Sequence, residues 1–300
     1  GEYYVSLVHN LMIRDGLYNT VYEVPNMLQW GTPLDVDKYL QWSNYYRDVV
    51  KGQKEVQIPN CVTAIPMAGA GSRFAKDGFS IPKPFLMVNG EYMVDQAVRC
   101  LPKTDKTIFG ALESHMSMMP LQEYPEVVWF KETPVEGQSI TTSKIVEKID
   151  DDTSILLSAC DNGALYDSDK FADLIEDQNN DIVVWSYRNN YTAHHNPNMY
   201  SWLEVDENDT IKKVNVKKFT GENPVDEYAI VGTMFFRDKN VYNKSLIKLF
   251  EMGEKVNGEF YVDSLLNAAI DLGYTVKNFE IDHYICWGTP NDLKTYRYWQ

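Results

Sequence analysis

Residues 66–98, PMAGAGSRFAKDGFSIPKPFLMVNGEYMVDQAV, concentrate the residue types that handle phosphate. Gly69 and Gly71 follow the apolar run CVTAIPM and let the backbone turn tightly, with amide N–H groups directed inward at an anion. Arg73, held by that turn, offers a planar fork of donors that matches phosphate oxygens. Lys83 lies between Pro82 and Pro84, which stiffen the chain around it. A second cation can therefore face the same anion. An ordinary strand–loop with a surface Arg and Lys gives the same pattern, because such glycine spacing is common.

Three further stretches carry candidate chemistry. SILLSACDN closes a buried run with Asp161, which can hold Mg2+ at a strand's carboxyl end or make a local turn bond. TPVEGQSITTSKI puts Gly137 and Gln138 at the mouth of a helix, suited to a flat base, or with Gln138 merely exposed. GEFYVDSLLN places Glu259 and Asp263 one turn apart, as hydroxyl ligands or as favourable first-turn charges. No convincing Ser/His/Asp or Cys/His set for covalent catalysis accompanies them.

The elements that must position these residues alternate from Cys61 onward. Strands are expected at CVTAIPM, KTIFGAL, EVVWF, SILLSA, DIVVWSY and YAIVGTMFF, with CVTAIPM and SILLSA buried, and helices at MVDQAVRCL, QSITTSKIVEKI, KFADLIED and near 240–251 and 261–272. A hairpin turning at 207–209 lies among them. This alternation predicts an α/β fold of three layers, α/β/α, with a mostly parallel central sheet. Ligands of such sheets bind beyond the carboxyl ends of the strands. Ahead of it, the pattern predicts a helix over 3–14, a strand over Thr20–Val24 and a helix from Pro33 towards Val50. The polar KGQKEVQIPN, residues 51–60, reads as a linker before a domain spanning 61–300.

The two ends of the chain repeat each other. Sliding residues 1–42 by 257 positions onto 258–299 gives 15 identities in 42 pairs without a gap, including Trp30/Trp287, Gly31/Gly288, Thr32/Thr289, Pro33/Pro290 and Trp42/Trp299. Chance would give roughly two or three. Residues 1–50 thus read as a partial copy of the C-terminal element, the tail of a truncated preceding domain of the same kind. A single domain with an extra N-terminal copy is the less economical reading. The apolar helix face and tryptophans of this segment call for packing on the main domain or on a partner chain.

Taken together and in order, these stretches resemble the sugar-phosphate nucleotidyltransferases, the NDP-sugar pyrophosphorylases. The resemblance rests on Gly69-Ala70-Gly71-Ser72-Arg73, Pro82-Lys83-Pro84, Asp161, Val231-Gly232 and Gly288-Thr289-Pro290-Asn291-Asp292, and covers about residues 61–299. It implies the fold of the nucleotide-diphospho-sugar transferases and transfer of NMP from an NTP to a sugar 1-phosphate with release of pyrophosphate, as for cell-surface polysaccharide precursors. Cytidylyl transfer to a non-sugar phosphate and a non-catalytic nucleotide-binding regulatory domain are the alternatives. It further implies that Ala68, Gly69, Ala70, Gly71 and Ser72 cradle the nucleotide, that Arg73 grips the leaving pyrophosphate and that Lys83 holds the α-phosphate. By the same resemblance Asp161 carries Mg2+, Glu136, Gly137 and Gln138 line the base pocket, and Gly232, Glu259 and Lys217 or Lys218 meet the acceptor. One position departs from the family: where a second metal-binding Asp is usual, this chain has Cys286, and Gln29 in the first copy. Thiols are poor Mg2+ ligands, which leaves Asp282 or Asp263 as substitutes, Asp161 alone, or weak activity.

The bulk composition agrees with that reading. The chain is 44% hydrophobic and 24% charged, enough to bury a core. Its net charge of −15 argues against nucleic-acid binding over the general surface. No run of 18 apolar residues exists for membrane insertion. The four cysteines are scattered, three of them in apolar runs, which predicts free thiols and a cytoplasmic location.

Overall fold

The computed structural model describes residues 2–134, 137–191 and 195–300. The chain divides into two compact units, one ending at Tyr39 and the other spanning Leu40–Gln300. The division falls inside a helix and not in the polar stretch 51–60. The smaller unit contains α1 (Leu7–Arg14) and the first turns of α2 (Pro33–Lys51). α1 buries no residue, and its Val8 and Leu11 are each 49% exposed.

The larger unit takes in the rest of α2, whose Trp42 packs with Tyr45, Tyr46, Tyr296 and Trp299. Residues 52–60 are bound along this unit: Val56 and Ile58 are buried, and the Ile58 N–H donates to the Lys103 carbonyl at 2.8 Å. The sheet begins with β1 (Cys61–Pro66), buried along its whole length as its unbroken apolar run demands. There follow α3 (Ser72–Lys76), a hairpin of β2 (Met87–Val88) and β3 (Glu91–Tyr92), α4 (Met93–Arg99), β4 (Lys106–Leu112) and β5 (Val127–Phe130). Next come α5 (Gln138–Val146), β6 (Ser154–Leu157), β7 (Asn162–Leu165), α6 (Ser168–Glu176) and β8 (Ile182–Tyr187). The chain continues through the hairpin β9 (Trp202–Val205) and β10 (Ile211–Asn215), β11 (Ala229–Phe236), α7 (Lys239–Met252) and α8 (Ser264–Asp271). It ends with β12 (Val276–Glu280), β13 (His283–Cys286) and α9 (Pro290–Trp299).

Among the described residues nine strands make the central sheet, with β10-β9-β11-β6-β1-β4-β5 side by side and β8 pairing both β11 and β12. β1, β4, β5 and β6 are mutually parallel. β11 runs against β6, β8 and β9, and β12 runs with β8, so only β11 and β10 are reversed. The sheet is mostly parallel. Alternate residues serve its two faces: Val62, Ile155, Val184 and Phe236 pack with α5, α7 and α8, while Cys61, Leu156, Trp185 and Phe235 pack with Phe171 of α6. Helices thus cover both sides, giving the expected three layers.

The repeat shows what a sheet contributes. α8 and α1 occupy corresponding positions 257 residues apart, and α9 and α2 both start at the repeated proline. β12 and β13, however, have no counterpart, because residues 17–30 form no strand. This corrects the strand expected at Thr20–Val24. A helix satisfies its backbone groups internally, whereas a strand needs a neighbour. β12 has β8 and β13 has β7; the smaller unit contains no strand of its own among its described residues.

Candidate active site

A cleft of about 540 Å³ opens beyond the carboxyl ends of the neighbouring strands β1 and β6. Segments far apart in sequence meet there. The turn after β1 supplies Ala68, Gly69, Ala70, Gly71, Ser72 and Arg73, and Lys83 faces it. The segment after β6 supplies Asp161; Gly137 and Gln138 come from the start of α5, Gly232 from β11, and Lys217 and Glu259 from later loops. Lys218 is exposed and does not line the cleft. Glu136 lies outside the described residues.

At the glycine-turn end of the cleft, the 3₁₀ turn Lys83–Phe85 is anchored by Phe85, which is 1% exposed. Its neighbour is the glycine turn: a Cβ on Gly71 would lie 3.6 Å from the Lys83 Cβ. The Lys83 ammonium reaches across and donates to Asp161 Oδ2 at 2.7 Å. Burial works against the Lys83 charge, but the Asp161 carboxylate leads the acidic groups that together hold its pKa above the ordinary lysine value. Arg73 forms no ion pair among the described residues and is exposed at the rim. An anion entering the cleft therefore finds one free guanidinium and one ammonium already held by a carboxylate.

The C-terminal repeat copy forms the wall behind Asp161. The Trp287 N–H donates to the Asp161 carbonyl at 2.9 Å. A Cβ on Gly288 would stand 2.7 Å from Asp161 Oδ2, so only glycine leaves room for this carboxylate. Cys286 does not present a charged ligand. Its thiol donates to Asp292 Oδ2 at 3.3 Å, and burial first, then the Asp292 and Asp161 carboxylates, push its pKa far up. Asp292 also accepts from the Thr289 hydroxyl at 2.6 Å and returns its own N–H to that oxygen at 3.2 Å, closing the first turn of α9.

The other end of the cleft is built around Gly137, whose φ of 104° suits glycine. A Cβ there would lie 2.9 Å from the Glu259 Cβ and from the Phe260 carbonyl, so the entrance of α5 and the loop before α8 are in close contact. Glu259 and Asp263 therefore do not share a helical turn: α8 starts at Ser264, with Asp263 at its N-cap position. Asp263 accepts a hydrogen bond from Ser201, and Lys217 lies 3.9 Å from it, over the Tyr261 ring and bonded to the Met199 carbonyl.

As a magnesium site, this constellation offers one hard carboxylate, Asp161, beside the glycine turn. Among the described residues no three His, Cys, Asp or Glu side chains converge. Asp282 does not line the cleft and Asp263 is engaged by Ser201. Mg2+ commonly takes one or two carboxylates together with substrate phosphates. The residues present fit an ion held that way.

Solved structures share this architecture. A nucleoside-diphosphate-sugar pyrophosphorylase from Vibrio cholerae RC9 superposes with a TM-score of 0.60 at 17% identity, over 78% of this chain and 98% of that one. The fold is that of the nucleotidyltransferases. An inositol-1-phosphate CTP transferase from T. maritima shares it with a TM-score of 0.62 at 18% identity, covering 82% of this chain and 96% of that one. A putative glucose-1-phosphate thymidylyltransferase from Bacillus anthracis does so with a TM-score of 0.61 at 16% identity, covering 79% and 93%. No family model and no curated protein sequence matches the chain. Among the described residues no helix is long and apolar enough to cross a membrane.

The fold also brings in residues not singled out in the sequence, although Thr133, Thr141, Asn162 and Tyr261 lie within the quoted stretches. Thr133, Thr141, Asn162, Tyr200, Ser201, Tyr261 and Tyr284 line the cleft from five separate segments. Asn162 is buried and donates to the Val231 carbonyl at 2.9 Å, tying β7 to β11 beside Gly232. The one available signal was its place directly after Asp161.

Proposed function

We propose that this protein transfers a nucleotidyl group from an NTP to a phosphate ester. The observation that carries the reading is the meeting of the glycine turn, Arg73, Lys83 and Asp161 around one cleft at the carboxyl ends of β1 and β6. A phosphate oxygen of the acceptor attacks the α-phosphorus, the bond to the bridging α–β oxygen breaks, and pyrophosphate leaves. No protein nucleophile is required, so catalysis is positioning and charge stabilisation. In this reading the amides of residues 69–72 receive the nucleotide phosphates, Arg73 neutralises the departing pyrophosphate and Lys83 turns to the α-phosphate. Asp161 would hold Mg2+ together with those phosphates, and the ion would supply further positive charge to them. Gly137 and Gln138 would contact the base, while Lys217, Gly232 and Glu259 would face the acceptor.

The acceptor class follows the fold neighbours, which are named for a sugar nucleotide, an inositol phosphate and a glucose 1-phosphate. A sugar 1-phosphate is our first assignment, with surface-polysaccharide precursors as its destination in a reducing, cytoplasmic setting. Cytidylyl transfer to a non-sugar phosphate is the second. The test is incubation with Mg2+, each NTP and a panel of sugar 1-phosphates, inositol 1-phosphate and phosphocholine, with pyrophosphate as the readout. Release with one pair supports the assignment; nucleotide binding without release from any pair replaces it with a nucleotide-sensing role.

A further inference from the structure

Resting on the nucleotidyl-transfer reading, we propose that Lys83 and a divalent cation compete for the Asp161 carboxylate, so that the cation enters with the nucleotide and is not held by the free protein. Lys83 Nζ lies 2.7 Å from Asp161 Oδ2, with both side chains 24% exposed. A pair this sheltered is screened far less than a surface pair. The ammonium occupies lone pairs that a metal would need and cancels the charge that would attract it.

Nothing nearby restores that attraction. The group facing Asp161 from β13 is the Cys286 thiol, which donates its hydrogen to Asp292. Asp292 is buried at 7% exposure and turned to Thr289. Gly288 presents no side chain, and Arg73 adds a second positive charge to the same end of the cleft. Lys83 and Arg73 together match the charges of Asp161 and the buried Asp292, so this end has no excess of negative charge to draw a divalent ion, while its two cations welcome a polyphosphate. A bound polyphosphate reverses the balance: it gives Lys83 another anion to pair with and frees Asp161 for the metal. Nucleotide and cation must then raise each other's affinity by the same factor.

The experiment is a titration of the nucleotide-free protein with Mn2+, followed through the electron paramagnetic resonance signal of the unbound ion. Wild type should bind no more Mn2+ than Asp161→Asn. Lys83→Gln should bind about tenfold more tightly than wild type, and that gain should vanish in the double variant with Asp161→Asn. Lys83→Met serves the same comparison if the glutamine variant does not fold by circular dichroism. Binding by the free wild-type protein that Asp161→Asn abolishes overturns the proposal, as does a Lys83 variant with no gain. A non-hydrolysable NTP analogue then separates the two readings. If it binds neither with nor without Mn2+, the nucleotidyl-transfer reading falls and the competition is judged on the nucleotide-free curves. If it binds but leaves Mn2+ affinity unchanged, the competition is wrong and the functional reading stands.

Discussion

Trp42 and Trp299, which occupy the same place in the two copies of the repeat, stack on each other with ring centroids 6.1 Å apart and planes 11° from parallel. Around them Tyr45, Tyr46 and Tyr296 complete an aromatic cluster joining α2 to α9. This cluster holds the turn at residues 286–289, because α9 begins directly after it. Trp42→Ala should cost about 3 kcal/mol of stability, the usual loss for truncating a buried aromatic, measurable as a lower urea midpoint. An unchanged midpoint would mean that the α2 contact contributes nothing to the larger unit.

The roles of the charged residues are separable. Arg73→Ala should lower pyrophosphate release on the order of 100-fold with little change in melting temperature, since its guanidinium forms no ion pair among the described residues. Asp161→Asn should lower it comparably. Turnover at the wild-type rate in either variant contradicts the assigned role.

Gly288→Ala tests the wall behind the carboxylate. The new methyl would lie 2.7 Å from Asp161 Oδ2, so the acid must move off its position. Activity should fall towards that of Asp161→Asn, while the melting temperature changes by only a few degrees. A crystal structure of the variant with Asp161 unmoved would refute the steric argument.

The buried thiols predict an alkaline limit to stability. Burial raises the Cys61 pKa to about 12 and that of Cys160 to about 11, against 9.0 for an ordinary thiol. The folded state therefore keeps protons that the unfolded chain releases from pH 9 upward. The contribution is complete below pH 9 and is lost as pH rises towards 11–12. Urea midpoints should hold steady to about pH 9 and then fall, and the Cys61→Ala, Cys160→Ala double variant should fall less steeply over that window. Superimposable curves would remove the thiols from the explanation.

Much of the larger unit was legible because its strands are unbroken apolar runs and its candidate phosphate-binding residues sit next to glycine and proline. Gly69, Gly71, Arg73, Lys83 and Asp161 were found by local grammar, and the fold brings them to one cleft. The hairpin-like pair β7 and β13 was not legible, since each strand has four residues and its partner lies more than a hundred positions away. Tyr200, Ser201, Tyr261 and Tyr284 were missed for the same reason: their place in the cleft comes from tertiary contacts and not from spacing. Thr20–Val24 was read as a strand on composition alone, and there pairing decided otherwise. The meaning of Cys286 was hidden too. Only the structure shows that Gln29 and Cys286 do the same job, each donating to the aspartate that opens the following helix, at 3.0 and 3.3 Å.

The contact between the Trp287 amide and the Asp161 carbonyl has a temporal side. On the ribosome, residues 69–161 emerge well before 286–289, so the acid lacks its backing until the stretch containing Trp287 has been made. A nascent chain stalled earlier holds the cations and the glycine turn without a settled acid, and the turnover proposed for this cleft requires that late stretch to have docked.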